Sequence, residues 1–439
     1  MNSDLEEKIF LDTENENRTK SKWYHRAFKK MHPDSLRGAI FIMLITALGT
    51  GIFTLHHLFN SVGIVFALIL IAIMSVAFYF SADFLINAYL KFPTCRSLGD
   101  LNRSLLSRPL CILYDALFIM YVLLVVIATV ASISKMFYIN FEDYIWSVIK
   151  VDEENRTFEK FNSVFPFVLA ALLFFLVVQK SVNALRHLSL YSFAIIVLAA
   201  LICLFQTPLY YKDLKSRNEN VFNTVSITLV GLFQTFGCLI FAFNIINNFF
   251  SVINTVQNPN KRRLRKIFSR TFFILSMLGA IIGSASYLSL GKQHAKETDL
   301  FIFRRVIGDR DIVMFITRCL LLLSFITGCA VNGHSFKVNF FQIFGLSQRL
   351  ALNILVTFVS LAFSALIVSR FSVITDFVAF AGAFCGSIMV FIYPGVIALK
   401  AGYSETRKGR IGIVCFIVII GGCGLASSYF SLRAFFVGK

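Results

Sequence analysis

Long apolar runs recur along most of the chain and are separated by short polar segments. A membrane-spanning helix needs about 20 apolar residues, and runs of about 18 or more are candidates. Eleven runs meet this criterion, near residues 38–59, 62–90, 110–134, 164–180, 188–206, 224–252, 271–290, 312–333, 350–369, 373–399 and 411–432. The pattern therefore predicts an all-α integral membrane protein with about 11 transmembrane helices.

Two of these spans contain residues that do not suit the interior of a lipid-embedded helix. The first carries Gly49-Thr50-Gly51 near its middle, and the sixth reads GLFQTFGCLIFAFNIINNFF. A helix interrupted in hydrocarbon leaves backbone N–H and C=O groups unpaired, which is tolerated only where they face protein or a water-filled cavity. Such breaks at matching positions in two halves of a chain point to a transporter's binding site. The offset of five spans, an odd number, predicts an inverted repeat.

Composition and charge agree with a chain embedded in lipid. Hydrophobic residues make up 57% of the 439 residues and charged residues 15%, whereas soluble domains average about 25% charged residues. With a cytoplasmic N-terminus, 26 of the 42 Lys and Arg residues fall in the inner segments, as the positive-inside rule requires. The net charge of +18 therefore predicts contact with anionic lipid headgroups of the bilayer and no nucleic-acid partner.

The first 36 residues are polar and carry both charge signs. This composition predicts a disordered cytoplasmic arm, and the first apolar run is too long for the core of a cleaved secretory leader. The sequence leaves open whether the protein resides in the plasma membrane or in a vacuolar or lysosomal membrane.

Short motifs in three spans resemble those of the amino acid/auxin permease family, which belongs to the APC superfamily. In the sixth span, Phe236-Gly237 and Phe241-Ala242-Phe243 stand where that family has F-G-x-x-x-F-A-[FY]. The segment GTGIFTLHHLFNSVGI resembles the family's first span, and FVAFAGAFCGSIMVFIYPGVIALK resembles its tenth. The resemblance extends over roughly residues 36–430.

The resemblance implies the LeuT-type fold, with two inverted five-helix repeats, helices 1 and 6 broken, and one further helix. It places a terminal arm at 1–36, the repeats at 37–206 and 207–400, and the eleventh helix in 401–439. It also implies transport of amino acids or related zwitterions, driven by a proton or sodium gradient. Sodium-coupled members tend to have Asn where this chain has Ile45, so we expect proton-coupled symport.

The broken segments are the predicted substrate site. Freed N–H groups at the first break suit a carboxylate, and freed carbonyls at the second suit an ammonium group, with aromatic rings beside the substrate side chain. Tyr121 lies in the middle of the third span, which the resemblance places against this site. The predicted substrate-binding residues are Leu48, Gly49, Thr50, Gly51, Tyr121, Phe241, Phe243 and Asn244. Gly packing in an ordinary span and aromatic packing on lipid are the alternatives.

Ionisable groups within spans are costly and therefore are candidates for ion coupling. Asp83 and Arg318 are two such groups, and each has the alternative of a static salt bridge. Ser324 and Thr327 in the eighth span have hydroxyls that suit a cation, or else a hydrogen bond back to the helix. The seven His residues are scattered, and no spacing of His, Cys or acidic residues predicts a metal site or a bound cofactor.

Two other classes compete with transport. A membrane-embedded transferase would need His, Asp or Glu residues converging at one membrane face, and no such cluster is visible in the sequence. A non-transporting amino acid sensor on the same fold would signal through residues 1–36, which contain no recognisable docking motif. We therefore expect a transporter and not an enzyme.

Overall fold

The structure is a computed structural model that describes residues 36–48, 51, 55–140, 158–179, 186–216, 229–243, 245–256, 258–297, 312–370, 380 and 382–437. Helices and turns account for these residues, and the described part of the chain has no strand. The helices of the first half are α1 (Leu36–Leu48), α2 (Leu55–Val62), α3 (Ile64–Lys91), α4 (Leu98–Leu105), α5 (Arg108–Asn140), α6 (Phe158–Val177) and α7 (Arg186–Ser216).

Those of the second half are α8 (Leu229–Ala242), α9 (Phe249–Ile253), α10 (Lys261–Glu297), α11 (Ile312–Ile343), α12 (Leu350–Arg370), α13 (Tyr393–Lys400), α14 (Arg407–Phe416) and α15 (Gly422–Val437). A 3₁₀ turn at Ile246–Asn248 precedes α9, two π-helical segments at Gly382–Gly386 and Ile388–Ile392 precede α13, and a third at Ile417–Gly421 joins α14 to α15.

The predicted all-α membrane architecture is confirmed. Nine helical stretches of the described residues are long and apolar enough to cross a membrane, and α1 and residues 161–177 of α6 are shorter apolar helices. Large apolar side chains remain exposed on the outer faces, such as Phe175 at 68% and Phe205 at 76%. Exposed apolar area on this scale marks a surface that is covered by another apolar phase.

One predicted boundary is wrong. Residues 261–270 look like a cytoplasmic loop because six of them are Lys or Arg, yet they form the first turns of α10. The Asn260 side chain accepts a hydrogen bond from the backbone N–H of Arg263 at 2.9 Å, which caps this helix. Lys and Arg are good helix formers, so the helix continues beyond the apolar run.

The helices pack so that the two interrupted spans occupy the middle of the molecule. Helix α1 contacts α7, α10 and α11, while α8 contacts α2, α15 and the first π-helical segment. Ten of the 13 residues of α1 are buried. A helix buried on every side has no lipid-facing stripe, which places α1 at the centre of the bundle.

Candidate functional site at two broken helices

The structure describes residues on both sides of each predicted break. In the first span, helix α1 ends at Leu48 and helix α2 begins at Leu55, and between them the structure describes Gly51. The sixth span stops at Ala242 and resumes with the 3₁₀ turn at Ile246. Gly49, Thr50 and Asn244 lie outside the described residues. In the sixth span, Phe243 forms a turn and Ile245 lies outside any helix, so backbone groups on both sides lack the hydrogen bonds of a continuous helix.

The two breaks touch through the backbone. A methyl group placed on Gly51 would lie against the Cα of Ala242 and 2.9 Å from its nitrogen. Real Cβ atoms do not approach another backbone so closely, so only glycine fits at this position. The sequence motif Gly-Thr-Gly therefore has a packing reason here, because its second glycine brings the first break into contact with the second.

Phe241 and Phe243 are buried at the second break, on two different sides. A methyl group on Gly382 would lie 2.8 Å from the Cβ of Phe241, so the first π-helical segment packs directly on α8. The Phe243 ring lies 5.7 Å from the ring of Phe78 on α3. Phe78 in turn contacts Phe391 and Phe272, which makes an aromatic cluster of four rings.

Tyr121 faces the same elements from α5. Its ring is fully buried, and a methyl group on Gly386 would lie 3.1 Å from its hydroxyl oxygen. The same methyl group would lie 2.6 Å from Ile240 of α8. The Tyr121 hydroxyl makes no hydrogen bond to another described residue. The structure thus brings Tyr121 close to α8, as predicted, with a polar atom still able to accept a partner.

A cluster of polar side chains lies at the point where the sixth span resumes after the second break. Its residues were not among the predicted site residues. The Asn248 amide donates to the hydroxyl of Thr46 at 3.1 Å and to the side chain of Asn332 at 3.4 Å, and its oxygen accepts from Ser335. This cluster joins α1, the 3₁₀ turn and α11, and its four residues are buried. The Asn247-Asn248 pair in an apolar span is the sequence signal that identifies this region.

Asn247 stands next to this cluster but does not share its bonds. The residue is 2% exposed, and neither atom of its amide has a hydrogen-bond partner among the described residues. A buried polar group without a partner costs about 1–3 kcal/mol. Asn247 and Tyr121 are therefore the buried polar side chains near the breaks that are best able to bind a polar ligand.

Comparison with known proteins identifies the chain. A family model for transmembrane amino acid transporter protein matches residues 32–433. The chain belongs to this amino acid transporter family. The expectation of a transporter and not an enzyme agrees with this family.

Two curated relatives carry the name "Putative amino acid transporter AAT1". The protein from Plasmodium berghei is 24% identical over 284 residues, which are 64% of this chain and 43% of the relative. The protein from Plasmodium falciparum is 24% identical over 292 residues, which are 64% of this chain and 45% of the relative. The matched region thus spans less than half the length of either relative.

Solved transporter structures share the fold. The crystal structure of MhsT in complex with L-phenylalanine has a TM-score of 0.58 and 12% identity, and covers 90% of this chain and 98% of that chain. A mutant of the manganese transporter of Eremococcus coleocola has a TM-score of 0.55 and 11% identity, over 92% of this chain and 88% of that chain. The chain therefore shares the LeuT-type fold of these structures.

In this member of the family, Ser324 and Thr327 have protein partners. The Ser324 hydroxyl donates to the backbone carbonyl of Ser192 on α7 at 2.8 Å. The Thr327 hydroxyl donates to the carbonyl of Leu323 at 2.9 Å and accepts from the Ser192 hydroxyl at 2.8 Å. Both hydroxyls therefore tie α11 to α7. Thr327 also makes the alternative bond back to its own helix, whereas Ser324 bonds to the neighbouring helix instead. Among the described residues, no group of three or more His, Cys, Asp or Glu residues is arranged to hold a metal ion.

Asp83 makes a bidentate salt bridge. Its two carboxylate oxygens lie 2.6 Å and 2.8 Å from the guanidinium nitrogens of Arg265 on α10. The hydroxyl of Tyr403, in the turn after α13, donates to the same carboxylate at 2.7 Å. Burial and this bond to Asp83 raise the pKa of Tyr403 to about 12. The geometry favours the static salt bridge among the two roles predicted for Asp83.

Arg318 is the largest fully buried side chain of the described residues. It lies on α11, inside the protein and not at its lipid-facing surface. A cation held in this position marks a functional or structural centre, and a coupling role stays a prediction.

Proposed function

We propose that the protein is a secondary active transporter that moves amino acids across a membrane by alternating access, driven by a proton gradient. The observation that carries this proposal is the contact of Gly51 with Ala242, because it joins two interrupted spans inside a family of amino acid transporters. Broken helices that meet near the middle of a membrane protein provide backbone groups for a charged, zwitterionic substrate.

The partial charges at the helix ends complement the charged groups of an amino acid. The C-terminal ends of α1 and α8 present carbonyl groups and the negative end of the helix dipole, which suits an ammonium group. The N-terminal end of α2 presents N–H groups, which suit a carboxylate. The Tyr121 hydroxyl and the Asn247 amide supply further polar atoms, and Phe241 and Phe243 supply an apolar wall.

Alternating access requires that one group of helices moves against another around the site. We expect the predicted repeats, 37–206 and 207–400, to be the units related by the inverted symmetry. The N-terminus is expected to be cytoplasmic, because that orientation puts most cations on the cytoplasmic side. Accessibility of an N-terminal epitope before and after permeabilisation of cells tests this orientation.

Uptake of labelled amino acids into proteoliposomes tests the function directly, with the proton and sodium gradients imposed separately. The informative variant is Gly51→Ala, since its methyl group would collide with the Ala242 backbone. The matched control is Gly422→Ala in α15, where a methyl group meets no atom within 4 Å. We expect saturable uptake that responds to the proton gradient in the wild type and in the control, and a loss of about tenfold or more in Gly51→Ala, equivalent to about 1.4 kcal/mol.

Equal uptake by Gly51→Ala and Gly422→Ala would contradict the assignment of the site. Binding of amino acids without any uptake would instead favour the sensor class. A response to the sodium gradient alone would refute the proposed proton coupling and leave the transport proposal intact.

A further inference from the structure

A basic pocket and an apolar groove meet on the outer surface of the molecule between α3 and α10. The pocket has a volume of about 490 Å³ and is lined by Tyr79, Lys261, Arg262, Arg265, Lys266, Ser269 and Arg270. The groove has a volume of about 350 Å³ and is lined by Ala72, Ser75, Val76, Tyr79, Phe80, Ser269, Phe272, Phe273 and Ser276. Tyr79 and Ser269 belong to both, so the two cavities are continuous.

The spacing of the lining residues makes one stripe on each helix. On α10, Arg262, Lys266 and Arg270 follow one another at four-residue intervals, and Phe273 continues the row. Residues three and four apart share one face of a helix. The stripe on α10 is therefore basic over the first turns of the helix and apolar further along it. The basic pocket and the apolar groove follow one another in the same order.

The pocket has more cationic than anionic side chains. Asp83 already binds Arg265 and Tyr403. The four other cations, Lys261, Arg262, Lys266 and Arg270, are exposed and form no salt bridge with any described residue. Their charge therefore remains available for an external anion.

The groove leads away from the charged end into the apolar zone of the protein surface. Its rim is formed by lipid-facing side chains, with Val76 at 55% and Phe273 at 66% exposure. Its floor is the buried ring of Phe272, and the Ser75 hydroxyl donates to the Phe272 carbonyl across the two helices at 3.4 Å. From Ser269 to Ser276 the helix rises roughly 10 Å, about two thirds of the apolar depth of one leaflet.

We propose that this surface binds one anionic phospholipid, with its phosphate in the basic pocket and an acyl chain along the groove between α3 and α10. Basic pockets between transmembrane helices on the cytoplasmic side suit anionic headgroups. The expected orientation places α10's basic end in that leaflet. A soluble anion would use the pocket alone and leave the groove unexplained, so a lipid accounts for both cavities.

Native mass spectrometry of the full chain tests this binding. The protein is released from micelles that contain equal amounts of phosphatidylserine and phosphatidylcholine, and the retained lipid is counted. The test variant is Arg262→Gln/Lys266→Gln/Arg270→Gln. The control is Arg407→Gln/Lys408→Gln/Arg410→Gln, which removes three exposed cations from the start of α14. Size-exclusion chromatography confirms that each variant is folded and monodisperse.

We expect the wild type and the control to retain phosphatidylserine in preference to phosphatidylcholine. The test variant should lose this preference by about tenfold or more, because each Lys or Arg near an anionic headgroup contributes a factor of about five. A second variant, Ser276→Trp, fills the groove and keeps every cation, and we expect it to lower the retention of phosphatidylserine as well.

Three results would overturn the proposal. Equal losses in the two triple variants would show that net charge alone attracts the lipid. Unchanged retention in Ser276→Trp, together with full displacement of the lipid by glycerophosphoserine, would show a site for soluble anions only. A wild type without preference for phosphatidylserine would show that no anionic lipid is selected. None of these results depends on transport activity.

Discussion

The side chain of Asn248 makes three hydrogen bonds at the second helix break. Its amide nitrogen donates to Thr46 and Asn332, and its oxygen accepts from Ser335, while the residue itself is fully buried. Thr46 lies on α1, and Asn332 and Ser335 lie on α11, so a single amide ties these two helices to the turn at the second break. Buried amides of this kind select one arrangement of their neighbours, because any other leaves polar atoms unpaired.

Replacing this amide should weaken the fold. We expect Asn248→Ala to lower the stability of the protein in detergent by about 1–3 kcal/mol, since it leaves Thr46, Asn332 and Ser335 without their shared partner. Thermal unfolding of the purified protein measures the change. Asn87→Ala is the control, because the Asn87 amide donates only to the Asp83 carbonyl one turn earlier in its own helix. An equal loss in both variants would mean that the cluster adds nothing specific.

Part of the candidate site could be predicted from the sequence. The site was predictable in part because the Gly-Thr-Gly motif has a counterpart five spans later, and Gly51 indeed contacts Ala242. The role of Asn248 was not, because an Asn-Asn pair does not reveal which amide meets partners on distant helices. Such bonds depend on α1 and α11, which are remote in sequence, and only the fold brings them together.

At the scale of the elements, the end of α6 is held by two other helices. The ammonium group of Lys337 on α11 donates to the carbonyls of Val177 at 2.9 Å and Gln179 at 2.7 Å. The side chain of Asn353 on α12 donates to the carbonyl of Val178 at 3.0 Å. The last carbonyls of a helix lack partners within the helix and carry its negative dipole, so a cation is favourable there.

This arrangement predicts a specific role for Lys337. Lys337→Met keeps the length and apolar stem of the side chain but removes the donor, and it should cost about 1–3 kcal/mol because buried carbonyls lose their partner. Lys400→Met at the exposed end of α13 is the matched control and should change little. Thermal unfolding compares the two, and limited proteolysis after α6 shows where the structure loosens. Equal unfolding temperatures for the two variants would contradict this capping role.

The sequence predicts the elements better than their ends. Apolar runs locate the spans because lipid demands about 20 apolar residues, yet α10 begins at Lys261, ten residues before the predicted 271. The C-terminal end of α6 and the N-terminal end of α10 are capped by a few polar contacts, such as that of Asn260 with Arg263. The hydrophobicity pattern does not reveal these caps, whereas it directly gives the order of the spans along the chain.

At the scale of the whole molecule, Asp83 links three regions that are distant in sequence. Its carboxylate on α3 binds Arg265 on α10 and Tyr403 in the turn after α13. The Lys91 ammonium group, at the end of α3, donates to the Ala401 carbonyl of the same turn at 2.6 Å. These contacts fasten α10 and the turn after α13 to α3.

The salt bridge with Arg265 makes it possible to test whether Asp83 has a static role or couples transport to the proton gradient. We expect Asp83→Asn to lower stability and to keep the response of uptake to the proton gradient, because the carboxylate already has a bidentate partner. Arg265→Gln added to Asp83→Asn should cost little more, with a coupling energy of about 0.5–3 kcal/mol between the two changes. Asp100→Asn is the control, since its contact with Arg103 is longer, at 3.8 Å, and more exposed. If Asp83→Asn instead abolished the response to the proton gradient without loss of stability, Asp83 would be the coupling group and the contact with Arg265 would be part of the transport cycle.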